Sequence, residues 1–272
     1  MTNIGVFDSG VGGLWILKYL KEKLPDYNYV FFADQEHVPY GERSMEQIRN
    51  FSEEITKFLI SKNCKIIVVA CNTASAASLK YLREKFPDIY FVGMEPAIKP
   101  AVENTHTGKV GVLATPATFQ GELYNSVVEK FAKNVEIFKD TCSGLVSQIE
   151  EGNLTGIETQ KILNRALLPM LEKNIDTVVL GCTHYPFVMD LIKNIVGDNV
   201  KVIDPTPAIV RQVFHVLDEK KLLVKILNKD GNLPIVNIFT SGNIENINNV
   251  LAKLSIDIYQ LNKVSWVGGV IK

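Results

Sequence analysis

The chain has 272 residues, 46% of them apolar and 22% charged, with a formal net charge of −1. That is the composition of an ordinary soluble globular protein, long enough for two domains. No basic stripe invites nucleic acid, no apolar run reaches membrane-spanning length, and MTNIGVFDSG lacks the pattern of a signal peptide, so a cytoplasmic protein without nucleic-acid or membrane partners is expected.

In chain order the pattern is strand, turn, helix, repeated. Ile4–Phe7 reads as a short apolar strand and Val11–Leu24 as the helix after it. Tyr29–Ala33 is a second strand. Met45–Ser61 has helical periodicity, with Ser44 as its N-cap. Lys65–Ala70 is a β-branched apolar run, as in a strand covered on both faces. Ala74–Lys85 reads as a helix and Tyr90–Met94 as a strand. Such alternation predicts a parallel sheet with helices on both sides.

The pattern then starts again. VGVLATP, within and after Lys109–Ala114, matches IGVFDSG at an offset of 106 (110 − 4). Asp176–Leu180 leads to Cys182 as Lys65–Ala70 leads to Cys71, an offset of 111 (182 − 71). The stretch ending in Pro205 matches the one ending in Pro96 at 109 (205 − 96). Three ordered matches at nearly one offset point to a duplicated α/β unit. The expected fold is two similar parallel-sheet α/β lobes related by a pseudo-twofold axis, with the site in the cleft between them. The tail adds a helix at Ala208–Leu217, capped by Thr206 with Pro207 first in the helix, a strand at Ile235–Thr240 and a helix at Ile244–Leu254. It has no counterpart in the repeat and is expected to return to the first lobe. The lobes are then 1–97 plus 207–272, and 98–206.

Polar residues cluster where buried strands end, and ligands of parallel sheets collect there. Asp8-Ser9-Gly10-Val11-Gly12-Gly13 follows the first strand; it fits no phosphate-loop pattern and reads as a tight turn with Asp8 or Ser9 near the helix cap. Cys71-Asn72-Thr73 and Cys182-Thr183-His184 follow two later strands. No cysteines form a C-x-x-C pair, and all four should be free thiols; Cys64 and Cys142 read as buried packing residues. Cys71 and Cys182 are set apart by their equivalent places in the repeat. Two facing lobes put two thiols on opposite sides of one cleft. Racemisation beside a carboxylate needs that arrangement, one group removing a proton and the other delivering one to the opposite face. Asp8 beside one cysteine and His184 beside the other are plausible assistants. Ser9, Asn72, Thr73 and Thr183 suit substrate carboxylates. His37, His106 and His215 read as surface or core residues.

At these residues the sequence resembles the glutamate racemases, over essentially its whole length. The matching segments are Ile4 to Gly13, Val38-Pro39-Tyr40-Gly41-Glu42-Arg43, Ala70-Cys71-Asn72-Thr73-Ala74 and Leu180-Gly181-Cys182-Thr183-His184-Tyr185-Pro186. The resemblance implies interconversion of L- and D-glutamate for peptidoglycan, with no cofactor and no metal, in a homodimer. Cys71 would handle the proton of the D-enantiomer, assisted by Asp8, and Cys182 that of the L-enantiomer, assisted by His184. It implies substrate contacts from Asp8, Ser9, Tyr40, Gly41, Asn72, Thr73, Thr183 and His184. It also implies a glutamate supporting the histidine, for which Glu150 in Val146-Ser147-Gln148-Ile149-Glu150 is the match, although Ser147-Gln148 replaces the usual Pro-Leu and Glu151 follows. Some members carry an N-terminal extension linked to activation by a peptidoglycan precursor; this sequence starts at the first strand, so that regulation is not expected. Three rivals remain: an aspartate racemase of the same group, a zinc or redox protein using Cys71, Cys182, His184 and Asp8, and a two-lobed amino-acid binder.

Overall fold

The most apolar segments of the chain become two parallel sheets in a computed structural model that describes residues 3–223, 234–256 and 259–272. In the first half lie β1 (Asn3–Asp8), β2 (Tyr29–Ala33), β3 (Cys64–Val69) and β4 (Tyr90–Gly93). In the second lie β5 (Lys109–Ala114), β6 (Glu136–Asp140), β7 (Thr177–Gly181) and β8 (Lys201–Ile203). After them come β9 (Val236–Thr240) and β10 (Gln260–Lys263), then a hairpin of β11 (Trp266–Val267) and β12 (Val270–Ile271). Sheet one runs β10-β9-β2-β1-β3-β4 and sheet two β6-β5-β7-β8, every neighbour parallel. The cores β2-β1-β3-β4 and β6-β5-β7-β8 have the same order, which is the duplication expressed as topology.

Helices cover these sheets for sequence-level reasons. The helix α1 (Gly13–Lys23) buries Leu14, Ile16, Leu17 and Leu20. The helix α2 (Met45–Ser61) starts at a full capping box, Ser44 Oγ accepting from the Gln47 N–H and Gln47 returning to the Ser44 N–H. The helix α3 (Asn72–Lys85) starts directly after Cys71. The chain leaves sheet one after β4 and returns through the helix Thr206–Glu219, which packs on α1. β9 then pairs with β2. Among the described residues no helix is long and apolar enough to cross a membrane.

One local expectation needs correcting. Thr206 is not the cap of its helix but its first residue; Asp204 Oδ1 accepts from both the Thr206 N–H (2.8 Å) and its hydroxyl (2.7 Å). Asp8 does lie at the start of α1: the N-cap position is Gly12, and the Asp8 carboxylate accepts from the Gly10 N–H and from that of Gly13, the first helical residue. The pattern also gave no sign of β6, an edge strand with no buried residue, its positions half-buried or exposed.

The buried Tyr29 hydroxyl ties β2 to the end of α1, reaching the carbonyls of Leu20 (3.0 Å) and Leu24 (2.7 Å). Tyr29→Phe leaves these carbonyls short of a donor. It should lower the unfolding free energy by about 1–2 kcal/mol, read as a lower urea midpoint at unchanged m-value.

Candidate active site

The two pairs of central strands, β1 with β3 and β5 with β7, open at their carboxyl ends into one small cavity of about 20 Å³. Of the eleven residues singled out from the sequence, nine line it: Ser9, Tyr40, Gly41, Cys71, Asn72, Thr73, Cys182, Thr183 and His184. Asp8 and Glu150 stand behind them. The matched ends of the repeat therefore meet, and both thiols reach the same space.

Cys71 is the N-cap of α3, its sulfur accepting from the Ala74 N–H at 3.4 Å and lying 3.7 Å from the Ser9 hydroxyl. A helix start favours a thiolate. Burial and the nearby Asp8 charge outweigh it, and Cys71 is pushed up to about 12. Asp8, the last residue of β1, is wholly buried. Burial pushes its carboxyl up, against the pull of His184 and of the Gly10 N–H, which donates at 3.1 Å. Its other oxygen accepts from the Thr183 hydroxyl of the second half at 3.1 Å.

The Cys182 side is built differently. The Cys182 sulfur lies 3.7 Å from His184 Nδ1, and His184 Nε2 lies 2.6 Å from Glu150 Oε1. Burial alone lowers the histidine pKa, but its hydrogen bonds to Cys182 and Glu150 prevail and raise it well above the usual range. Glu150 accepts two further bonds, from the Val11 N–H (2.7 Å) and from Gln35 Nε2 (2.9 Å). Burial would raise its pKa; these donors and His184 bring it below the ordinary value. The glycine turn makes this approach possible. A Cβ on Gly10 would sit 1.9 Å from Glu150 Oε1, and one on Gly12 2.5 Å from the Thr183 hydroxyl oxygen.

Asn72 is buried at the cavity with neither side-chain Oδ1 nor Nδ2 bonded within the protein. A buried amide with unused donor and acceptor is suited to a ligand that offers both. Thr73 joins the two halves through Thr115 (2.8 Å) and Thr118 (3.4 Å). Thr115 and Val146 line the cavity and were missed from the sequence. The 106-residue offset leads from Ser9 to Thr115 and was the signal available. Asp34 was also missed. This buried carboxylate follows β2, and its oxygens accept from Tyr40 Oη (2.6 Å), Trp266 Nε1 (2.7 Å) and the Ser241 hydroxyl (3.0 Å). His37, read as an unremarkable histidine, lies 2.9 Å from the same group. Cys64 and Cys142 are buried in hydrophobic clusters. Among the described residues no three His, Cys, Asp or Glu side chains are grouped to hold a metal ion.

The profile of the Asp/Glu/Hydantoin racemase family matches residues 16–213. A glutamate racemase of Roseiflexus sp. is 41% identical over 93% of this chain and 92% of its own length. Among solved structures, a glutamate racemase isoform from Bacillus anthracis superposes with a TM-score of 0.84 at 31% identity, covering 99% of this chain and 98% of that one. One from Francisella tularensis, in complex with D-glutamate, gives 0.82 at 33% identity, covering 96% of each chain.

The close approach of Gly10 to Glu150 can be tested directly. Gly10→Ala should leave the circular dichroism spectrum intact while displacing the Glu150 carboxylate. With that partner displaced, only the Cys182 contact opposes burial, and the His184 titration followed by NMR should move down. An unchanged titration would mean that Glu150 does not hold the histidine protonated.

Proposed function

The chain belongs to the Asp/Glu/Hydantoin racemase family, and from that premise we infer that it interconverts L- and D-glutamate with Cys71 and Cys182, one removing the Cα proton and the other delivering its own proton to the opposite face. One observation carries this reading: two cysteines at equivalent strand ends line one cavity, Cys71 beside the Ser9 hydroxyl and Cys182 beside His184.

The two thiols divide the work. Cys71, pushed up to about 12, rests as a thiol and is ready to give a proton. His184 stands 3.7 Å from the Cys182 sulfur with Glu150 behind it and serves as the proton partner on that side. With L-glutamate, the Cys182 thiolate takes the Cα proton. The electron pair left on Cα delocalises into the α-carboxylate, and Cys71 protonates the other face. Release of D-glutamate leaves Cys71 as the thiolate and Cys182 as the thiol, the form that runs the reverse reaction. Only the proton moves, so the step needs no cofactor. Asn72, Ser9, Thr73 and Thr183 supply polar groups for the carboxylates and the developing charge, with Tyr40 and Gly41 closing the cavity above them. Asp8 tunes Cys71; His184, backed by Glu150, tunes Cys182.

We divide the chain around this site into 1–97 plus 207–272 and 98–206; residues 1–2, 224–233 and 257–258 of the first part lie outside the described residues. We take the working form to be a cytoplasmic homodimer supplying D-glutamate for peptidoglycan, on the family resemblance and on four buried free cysteines that suit a reducing compartment.

Polarimetry on purified protein should show both enantiomers of glutamate relaxing to the racemate without pyridoxal phosphate and in the presence of a chelator. Optical stasis, or activity only with added cofactor, overturns the reading. Aspartate ends one methylene short of the second carboxylate site, so its kcat/KM should be lower by at least about 100-fold; equal turnover would return the chain to the aspartate alternative.

Replacing either cysteine with serine should cost about 10²- to 10⁴-fold or more in racemisation, because a hydroxyl is a far poorer base than a thiolate. Each variant keeps one base. With a glutamate analogue bearing chloride at Cβ, that base takes the Cα proton and chloride leaves. Cys71→Ser should then eliminate from the L-analogue and Cys182→Ser from the D-analogue. A Cys71→Ser enzyme that still racemises would return Cys71 to a packing role.

A further inference from the structure

The segment after the duplicated halves reaches the Glu150 carboxylate through the side chain of Gln35. Gln35 follows β2 and Asp34, and its two amide atoms face opposite ways. Its Oε1 accepts from the Thr240 hydroxyl at 2.8 Å, and its Nε2 donates to Glu150 Oε2 at 2.9 Å. The direction is fixed by Glu150, whose carboxylate can only accept, so the Gln35 NH₂ faces it. The amide oxygen is left to take the proton of the Thr240 hydroxyl, which in turn accepts from the Gly242 N–H at 3.0 Å. Glu150 then has three partners: Gln35 on Oε2, and the Val11 N–H and His184 on Oε1.

We propose that Gln35, aimed by Thr240, is a positioning residue for the Cys182 arm of the reaction, acting through Glu150 and His184. The proposal rests on the two-thiol reading. It gives the tail strand β9 a task in chemistry: orienting one of the two acid–base groups and not the other. Cys71 has no hydrogen bond to this chain of groups, its partners being Ser9 and Ala74; Asp8 meets the chain only through the Thr183 hydroxyl, which lies 3.5 Å from His184 Nδ1.

The test uses the full-length enzyme with Cα-deuterated substrates. Gln35→Ala should lower kcat/KM about tenfold, the scale of one hydrogen bond to a charged group. The loss must be equal in both directions, because the two enantiomers are isoenergetic. The isotope effects need not be equal. Slowing the Cys182 step should raise the effect on kcat/KM for deuterated L-glutamate, whose proton it removes. It should lower the effect for deuterated D-glutamate, whose proton goes to Cys71. Thr240→Val should shift both effects the same way by less, and should add nothing in the Gln35→Ala background. General loosening of the fold would not split the isotope effects. Wild-type rates in Gln35→Ala, isotope effects that move together, or additive losses in the double variant would each overturn the proposal. A Cys182→Ser enzyme that still racemises overturns the two-thiol reading instead, whatever Gln35→Ala does.

Discussion

The site depends on one buried carboxylate that belongs to one half of the molecule and is held by the other. Glu150 comes from the short helix Leu145–Glu150, yet two of its three donors, the Val11 N–H and Gln35, lie in the first half. A carboxylate out of water is costly unless its lone pairs are used. Here they are used only when the halves are together. The third donor is His184, so the contact that closes the cleft is also the contact that keeps the histidine charged. Assembly of the cleft and tuning of the chemistry are one event.

Duplication supplied two like halves, and the chemistry requires them to be unlike. Both thiols stand at strand ends of matching topology. If both had the same neighbours they would share one protonation state, and a two-base transfer would have either two acids or two bases. The neighbours differ in sign. Burial and the charge of Asp8 raise Cys71; His184, positive, stands beside Cys182. The bond from Thr183 to Asp8 lets the second half touch the first half's acid, as Glu150 touches the first half's helix start.

The fold was legible where local patterns decide it. Met45–Ser61 was read to the residue because a helical period follows a capping serine and Gln47 completes the box. The continuous runs before Cys71 and Cys182 were legible because strands buried on both faces admit little else. β6 was not, because this edge strand, half in water, has three charges in five residues and only two apolar ones. Within the site, residues at the ends of apolar strands could be named. Asp34 and Gln35 could not. Their partners Thr240, Ser241 and Trp266 lie more than 200 positions away, and a bond that long in sequence leaves no periodicity behind. Thr206 was misplaced for a related reason: Asp204, two residues earlier, competes for the same role and wins with a carboxylate.

The burial of so many ionisable groups also separates a catalyst from a binder. A two-lobed amino-acid receptor needs donors and acceptors around its ligand, and neutral amides and hydroxyls such as Asn72, Thr73 and Thr115 would serve. It gains nothing from a fully buried Asp8 whose pKa is raised, or from a histidine kept charged against its own burial. Each of these lowers stability unless compensated, and each is compensated by a bond across the cleft. Thr183 answers Asp8, and Val11 and Gln35 answer Glu150. Two thiols placed between such groups are in an environment organised to hold one proton on one side and to receive another on the opposite side. Perturbed ionisations concentrated at one cavity, with their compensation drawn from the facing half, are what proton transfer across that cavity demands.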